Sequence, residues 1–144
     1  FAFIGAGQRG AGFQPDNVML YYNFDQYLYT EAEDPTQGFG LFGRFGWARE
    51  NTNPINYFYS LGLGGKGMFE TRDNDTYGLG YYFIDPSNEL PPMFHSEQGV
   101  ECYYNIELAP WLHITPDLQV IMNPGGTDDN DVSVVYGLRM HMNL

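Results

Sequence analysis

The stretch that decides the fold is the last one, Val132-Ser133-Val134-Val135-Tyr136-Gly137-Leu138-Arg139-Met140-His141-Met142-Asn143-Leu144. Val132, Val134, Tyr136, Leu138, Met140, Met142 and Leu144 are apolar, while Ser133, Gly137, Arg139, His141 and Asn143 fill most of the alternate places. A period of two puts successive side chains on opposite faces of a strand. One face is greasy and the other mostly wet, over more than the ~9–11 residues a tilted strand needs to cross a bilayer.

The same pattern repeats upstream. Between Trp111 and Asn123, Leu112, Ile114, Leu118, Val120 and Met122 share a face opposite His113, Thr115, Asp117 and Gln119. Between Glu97 and Leu108, Val100, Cys102, Tyr104 and Ile106 alternate with Glu101, Tyr103, Asn105 and Glu107. From Phe39 to Trp47 the outward set is Phe39, Leu41, Phe45 and Trp47, and the inward set is Gly40, Phe42, Arg44 and Gly46. Further strands fit Val18–Tyr29, Ile55–Lys66 and Thr76–Asp85, with a weaker one at Phe1–Gln8. Turn residues punctuate them: Glu31-Ala32-Glu33-Asp34-Pro35, Asn51-Thr52-Asn53-Pro54, Arg72-Asp73-Asn74-Asp75 and Asn123-Pro124-Gly125-Gly126. The gap from Pro86 to Ser96 is the longest. Short gaps favour an antiparallel meander over parallel crossovers, within one domain spanning residues 1–144.

Composition explains which kind of all-β chain this is. Aromatics make up 17% of the residues, and Tyr27, Tyr29, Trp47, Tyr57, Tyr59, Tyr82, Phe83 and Trp111 fall near strand ends, where a membrane barrel carries its interfacial girdles. The polar faces hold a sparse mixture of Asn, Ser, Thr, Gln, Tyr and single charges rather than abundant Lys and Glu, which suits a water-filled lumen better than a soluble exterior. No stretch approaches the ~18 apolar residues of a membrane helix, but a closed barrel satisfies its backbone inside lipid as well. A net charge of −12 repels phosphate backbones and argues against nucleic acid as a partner. One cysteine, Cys102, allows no internal disulfide. The opening Phe1-Ala2-Phe3-Ile4-Gly5 has no basic n-region, so it reads as the middle of a chain rather than a signal peptide.

The short turn at Ala109-Pro110 fixes a register. Residue numbers summing to 220 pair Glu107 with His113, Asn105 with Thr115 and Tyr103 with Asp117. A sum of 254 in the next hairpin pairs His113 with His141 and Thr115 with Arg139, and sets Arg139 diagonal to Asp117 as a wall brace. A water-filled lumen is lined by hydrogen-bonding groups and single charges. The inward faces offer Asn23, Asp25, Arg44, Glu101, Tyr103, Asn105, Glu107, Asp117, Gln119 and Arg139 as pore-lining candidates. Arg44, a lone charge among glycines, is expected to reach freely across the lumen.

No catalysis is expected. Glu101 and Glu107 would lie ~20 Å apart along a strand, far beyond a glycosidase pair. Asp73, Asp75, Asp128, Asp129 and Asp131 do not have the spacing of a calcium loop and read as solvated turns, so neither metal nor cofactor is expected. Gly62–Gly67 opens no predicted helix and cradles no phosphate.

Several runs resemble the OprB-like carbohydrate-selective porins: Tyr22-Asn23-Phe24-Asp25-Gln26-Tyr27-Leu28, Gln37-Gly38-Phe39-Gly40-Leu41-Phe42-Gly43-Arg44-Phe45-Gly46-Trp47, Gly62-Leu63-Gly64-Gly65-Lys66-Gly67, Thr115-Pro116-Asp117-Leu118-Gln119-Val120-Ile121 and Val135-Tyr136-Gly137-Leu138-Arg139. The resemblance covers roughly residues 17–144. It implies a transmembrane antiparallel β-barrel of about sixteen strands, of which this chain supplies about seven or eight as the C-terminal half. It also implies an outer-membrane pore for small carbohydrates, surrounded by outer-membrane lipid, completed by the remaining strands and able to form a homotrimer. Leu144 departs from the aromatic residue usual at the family's end. The alternatives at this point are a general or ion-selective porin of the same architecture, a closed eight-stranded barrel acting as anchor or adhesin, and a soluble β-sandwich lectin.

Overall fold

A computed structural model describes residues 17–127, 129 and 131–143. These form one antiparallel sheet whose strands lie in chain order: β1 (Met19–Thr30), β2 (Gly38–Ala48), β3 (Ile55–Lys66), β4 (Thr76–Pro86), β5 (Glu97–Ala109), β6 (Leu112–Met122) and β7 (Val132–Met142). β3 has the bounds predicted from sequence, and the others differ by one or two residues at an end, where assignments ordinarily fray. The segment Phe1–Gln8, expected to be a further strand, lies outside the described residues. A strand of 11 residues rising ~3.3 Å per residue and tilted ~40° covers ~28 Å along its axis, close to the hydrocarbon thickness of a bilayer.

The predicted registers hold. Glu107 pairs with His113 and Tyr103 with Asp117, and His113 pairs with His141 and Thr115 with Arg139. Asn105 and Thr115 meet through their side chains, the Thr115 hydroxyl donating to Asn105 Oδ1 at 2.8 Å. Three register shifts interrupt the strict alternation, between Tyr27 and Tyr29 of β1, between Ile55 and Tyr57 of β3 and between Glu107 and Ala109 of β5. The first leaves Tyr27 opposite Gly40 on the polar face and moves Tyr29 opposite Phe39 on the apolar one. Tyr82 also stands on the polar face, between Ser60 and Gly99. The expected girdle of strand-end aromatics therefore loses Tyr27 and Tyr82 to the other side of the sheet.

Among the described residues no second layer packs on this sheet. Among the described residues Ala48 is the only apolar side chain in the buried class, while Tyr136 is 82% and Leu138 76% exposed. A soluble sandwich would bury that face against a partner sheet, so the lectin alternative fails on the absence of a core. β1 and β7 do not pair with each other, and the seven strands form an open section of a barrel. Every residue of β1 is exposed along its unpaired side, an edge that lipid cannot satisfy and that further strands must cover.

The connections β1–β2, β3–β4 and β5–β6 share one rim, and β2–β3, β4–β5 and β6–β7 share the other. At the first rim, Asp34 accepts from the Thr36 hydroxyl at 2.7 Å and the Thr36 N–H at 2.9 Å, and from Gln37, which holds its carboxyl below the usual carboxylate range. The turn before β4 differs from the solvated loop expected there. Asp75 is 1% exposed. Its carboxylate accepts Arg72 Nε at 2.7 Å and Nη2 at 3.0 Å, and the Glu107 backbone N–H at 2.9 Å. The turn folds back beneath the end of β5, so its carboxylate serves a backbone donor that has no strand partner. At the opposite rim, Glu50 accepts Asn56 Nδ2 at 2.6 Å and Asn88 Nδ2 at 3.1 Å, while the Ser87 hydroxyl donates to the Glu50 carbonyl at 2.8 Å. These bonds tie the β2–β3 and β4–β5 connections together.

Candidate functional site: the polar wall of the sheet

The site is a face rather than a cleft between domains, and cross-strand register assembles it. One row runs Asn23, Arg44, Ser60, Tyr82 across β1 to β4. The next runs Asp25, Phe42, Gly62, Gly80, Glu101, Gln119 across β1 to β6. A concavity of about 610 Å³ opens on these rows. Five of the ten predicted residues line it: Asn23, Asp25, Arg44, Glu101 and Tyr103. A second concavity of about 440 Å³ continues toward the β3–β4 rim past Asp25, Tyr27, Lys66, Thr76 and Tyr103.

Arg44 is not the free arm expected from its glycine neighbours. Its Nε donates to Asn23 Oδ1 at 2.8 Å across the β1–β2 ladder, which ties the guanidinium to the wall. Farther along, Arg139 Nη2 donates to Asp117 Oδ2 at 2.9 Å and lies 3.9 Å from Glu101. Gln119 Nε2 reaches Asp117 Oδ1 at 3.4 Å. The predicted diagonal brace is present, and it also draws in Glu101 from β5.

Asn105 and Glu107 belong to a hydrogen-bonded ladder nearer the rim, away from the first concavity. Asn105 Nδ2 donates to Thr76 Oγ1 at 3.3 Å and lies 3.4 Å from His113 Nδ1. Glu107 accepts Asn74 Nδ2 at 3.1 Å, and the His113 and His141 rings stand 6.3 Å apart. Among the described residues no three His, Cys, Asp or Glu side chains gather as metal donors.

Sequence reasoning passed over Phe42, Ser60 and Tyr82 as lining residues, although all three face the first concavity. The aromatics sit in slots left by glycine. A methyl group at Gly78 would come within 2.5 Å of the Tyr103 ring, and one at Gly99 within 2.6 Å of Tyr82. At Gly62 it would overlap the far end of the Phe42 ring. Tyr82 is held from its tip as well, its hydroxyl donating to Glu97 Oε1 at 2.8 Å while the Gly125 N–H donates to Glu97 Oε2 at 2.5 Å. Glu97 thus connects the lining to the β6–β7 connection. For Phe42 the legible signal was parity, two places from Arg44, whereas Ser60 and Tyr82 join the row of Arg44 only through the cross-strand register.

This arrangement has relatives. Porin B of Pseudomonas aeruginosa is 27% identical over 136 residues, covering 80% of this chain and 30% of that protein. Porin AaxA of Chlamydia pneumoniae is 29% identical over 108 residues, covering 72% of this chain and 25% of that protein. A solved high-pH structure of Pseudomonas putida OprB superposes with a TM-score of 0.77 at 26% identity, over 85% of this chain and 34% of that one. The chain therefore spans about a third or less of the length of these relatives. The profile described as carbohydrate-selective porin, OprB family, matches residues 6–144, and the chain belongs to that family.

Proposed function

We propose that this chain forms part of the wall of a channel through which small neutral sugars cross by passive diffusion, with no catalytic step. As a porin segment it resides in a bacterial outer membrane. The observation that carries the reading is the division of the sheet: an uncovered apolar face, and behind it a polar face whose concavity offers both hydrogen-bonding groups and aromatic rings. The apolar side is suited to acyl chains. The polar side replaces part of a sugar's hydration shell with hydrogen bonds worth ~0.5–1.5 kcal/mol each, weak enough for release on the far side. In this reading the β2–β3, β4–β5 and β6–β7 connections face the exterior, and the remaining barrel strands flank β1 and β7.

A general or ion-conducting pore is the second reading, favoured by the carboxylates Asp25, Glu101 and Asp117 on the same wall. Single-channel recording of the full-length protein separates the two. Millimolar sugar added to one side is expected to reduce the open-channel current in a saturable way. A current that sugars leave untouched, with ions passing freely, rejects the sugar pore in favour of the ion-conducting one.

A further inference from the structure

Two phenyl rings of the polar wall, Phe42 and Phe58, line the first concavity. Phe42 carries no hydrogen-bonding group and, at 40% exposed, is the more open of the two. The ring is seated with care. Its far end reclines over Gly62 of β3, and a methyl group at Gly64 would stand 3.6 Å from its Cε1 while one at Gly80 of β4 would stand 4.0 Å from its Cζ. Gly62 is thus the glycine that clears the ground for the ring, and Gly64 and Gly80 border it at ordinary contact distance. Covering glycine backbone accounts for one side of the phenyl group, and its other side faces the concavity.

What surrounds the ring defines what fits on it. Asp25 stands beside Phe42 on β1, and Glu101 lies farther along the same row on β5, beyond Gly62 and Gly80. At ~4.8 Å per strand the two carboxylates are ~19 Å apart along the wall, with the phenyl ring and bare glycine backbone between them. The Asn23–Arg44 pair forms the next row. An apolar floor with donors and acceptors at its margin complements a solute that is apolar on its faces and polar around its perimeter. A pyranose whose hydroxyls are equatorial is built that way: its axial C–H bonds pack on an aromatic face while the hydroxyls radiate outward. An open-chain polyol of the same carbon count has as many hydroxyls but no flat C–H face to offer.

Resting on the reading of this face as a sugar-conducting lumen, we infer that Phe42 is a stacking platform by which the pore distinguishes closed pyranose rings from open-chain polyols, with Asn23–Arg44 and Asp25 taking the peripheral hydroxyls. Tyr103, seated over Gly78 and lining the same concavity, extends the platform toward β5.

The test is permeation of D-glucose and of sorbitol into proteoliposomes carrying the full-length protein, compared among the wild type, Phe42→Leu and Phe42→Tyr. The glucose-to-sorbitol ratio is internal to each preparation, so it does not depend on how much protein inserts. Leucine keeps the glycine slot filled, which protects the wall, but removes the flat ring. The expected result is a ratio well above one in the wild type, retained in Phe42→Tyr and reduced ~5-fold in Phe42→Leu, the scale of one aromatic stacking contact. An unchanged ratio in Phe42→Leu, or an equal loss for both solutes, overturns the platform while leaving the sugar pore standing. A wild type that admits neither solute overturns the pore itself, and the platform with it.

Discussion

Asp75 shows how much one side chain can hold when it replaces a missing strand partner. Burial pushes its carboxyl up, but the Glu107 N–H and the Arg72 guanidinium outweigh that and leave it below the usual carboxylate value, while Arg72 is held above its own. The sign follows from the direction. A depressed value means the folded state favours the anion, so the contribution is complete above the unfolded-state value of about 4 and disappears as pH falls through the lower folded value. Thermal unfolding in detergent, read as the loss of the fast-migrating folded band on a gel, is expected to have a flat midpoint from pH 8 to pH 5 and to fall below pH 4. Asp75→Asn should flatten that acid limb. Asp75→Ala should cost about 1–3 kcal/mol at neutral pH by leaving the Glu107 N–H buried without an acceptor. A neutral-pH midpoint unchanged in Asp75→Ala would show that the turn finds another partner for that donor.

At the level of strands, glycine decides how closely β1 and β2 approach. Gly38 has φ +140, and a Cβ there would overlap the Tyr29 carbonyl oxygen, while at Gly40 a Cβ would come 2.7 Å from the Gln26 carbonyl oxygen. Backbone cannot step aside as a side chain can. Gly46 on the same strand has nothing nearer than 3.9 Å. Gly40→Ala is therefore expected to lower the yield of folded barrel several-fold on refolding into detergent, and Gly46→Ala to leave it within ~0.5 kcal/mol of the wild type. Equal yields for the two would mean the β1–β2 ladder is looser than its register implies. The same elements show what a sequence can and cannot disclose. The β5–β6 register was legible because a two-residue connection leaves one way to pair strands of opposite face, and the β6–β7 register because both strands alternate clearly enough to match polar face with polar face. The bulge at Leu28 was not, since Tyr27-Leu28-Tyr29 is apolar at every place and offers no alternation to interrupt. Tyr81-Tyr82-Phe83 hid the inward turn of Tyr82 for the same reason. Phe42 was read as inward, but its seat is Gly62, bordered by Gly64 and Gly80, on strands whose contact with β2 no local pattern announces. The fate of Asp75 depended likewise on a turn folding under β5, a tertiary event that its Asp-Asn-Asp surroundings present as ordinary loop.

Across the whole sheet, charge gathers on one face, with Asp85, opposite Tyr57, the strand charge on the other. Asp25, Arg44, Lys66, Glu97, Glu101, Glu107, Asp117 and Arg139 all take register positions on the polar wall, so five carboxylates stand there against three cations. In a confined aqueous path such an excess raises the local concentration of cations. Arg139 is the most informative of the three cations, because it sits between Asp117 and Glu101 and screens both. Replacing it with glutamine removes that screening without removing a carboxylate. In a planar bilayer with a tenfold KCl gradient, Arg139→Gln is expected to move the reversal potential toward that of potassium. The shift should be largest near 0.1 M salt, where the Debye length is ~10 Å, and should shrink toward 1 M, where it is ~3 Å. Leu138, its neighbour in the chain and 76% exposed on the opposite face, supplies the contrast: Leu138→Gln should disturb insertion into the bilayer and leave the reversal potential of inserted channels where it was. If instead Arg139→Gln left the potential unmoved and Leu138→Gln shifted it, water would run along the other face of the sheet, and the assignment of wall and lumen would have to be exchanged strand by strand.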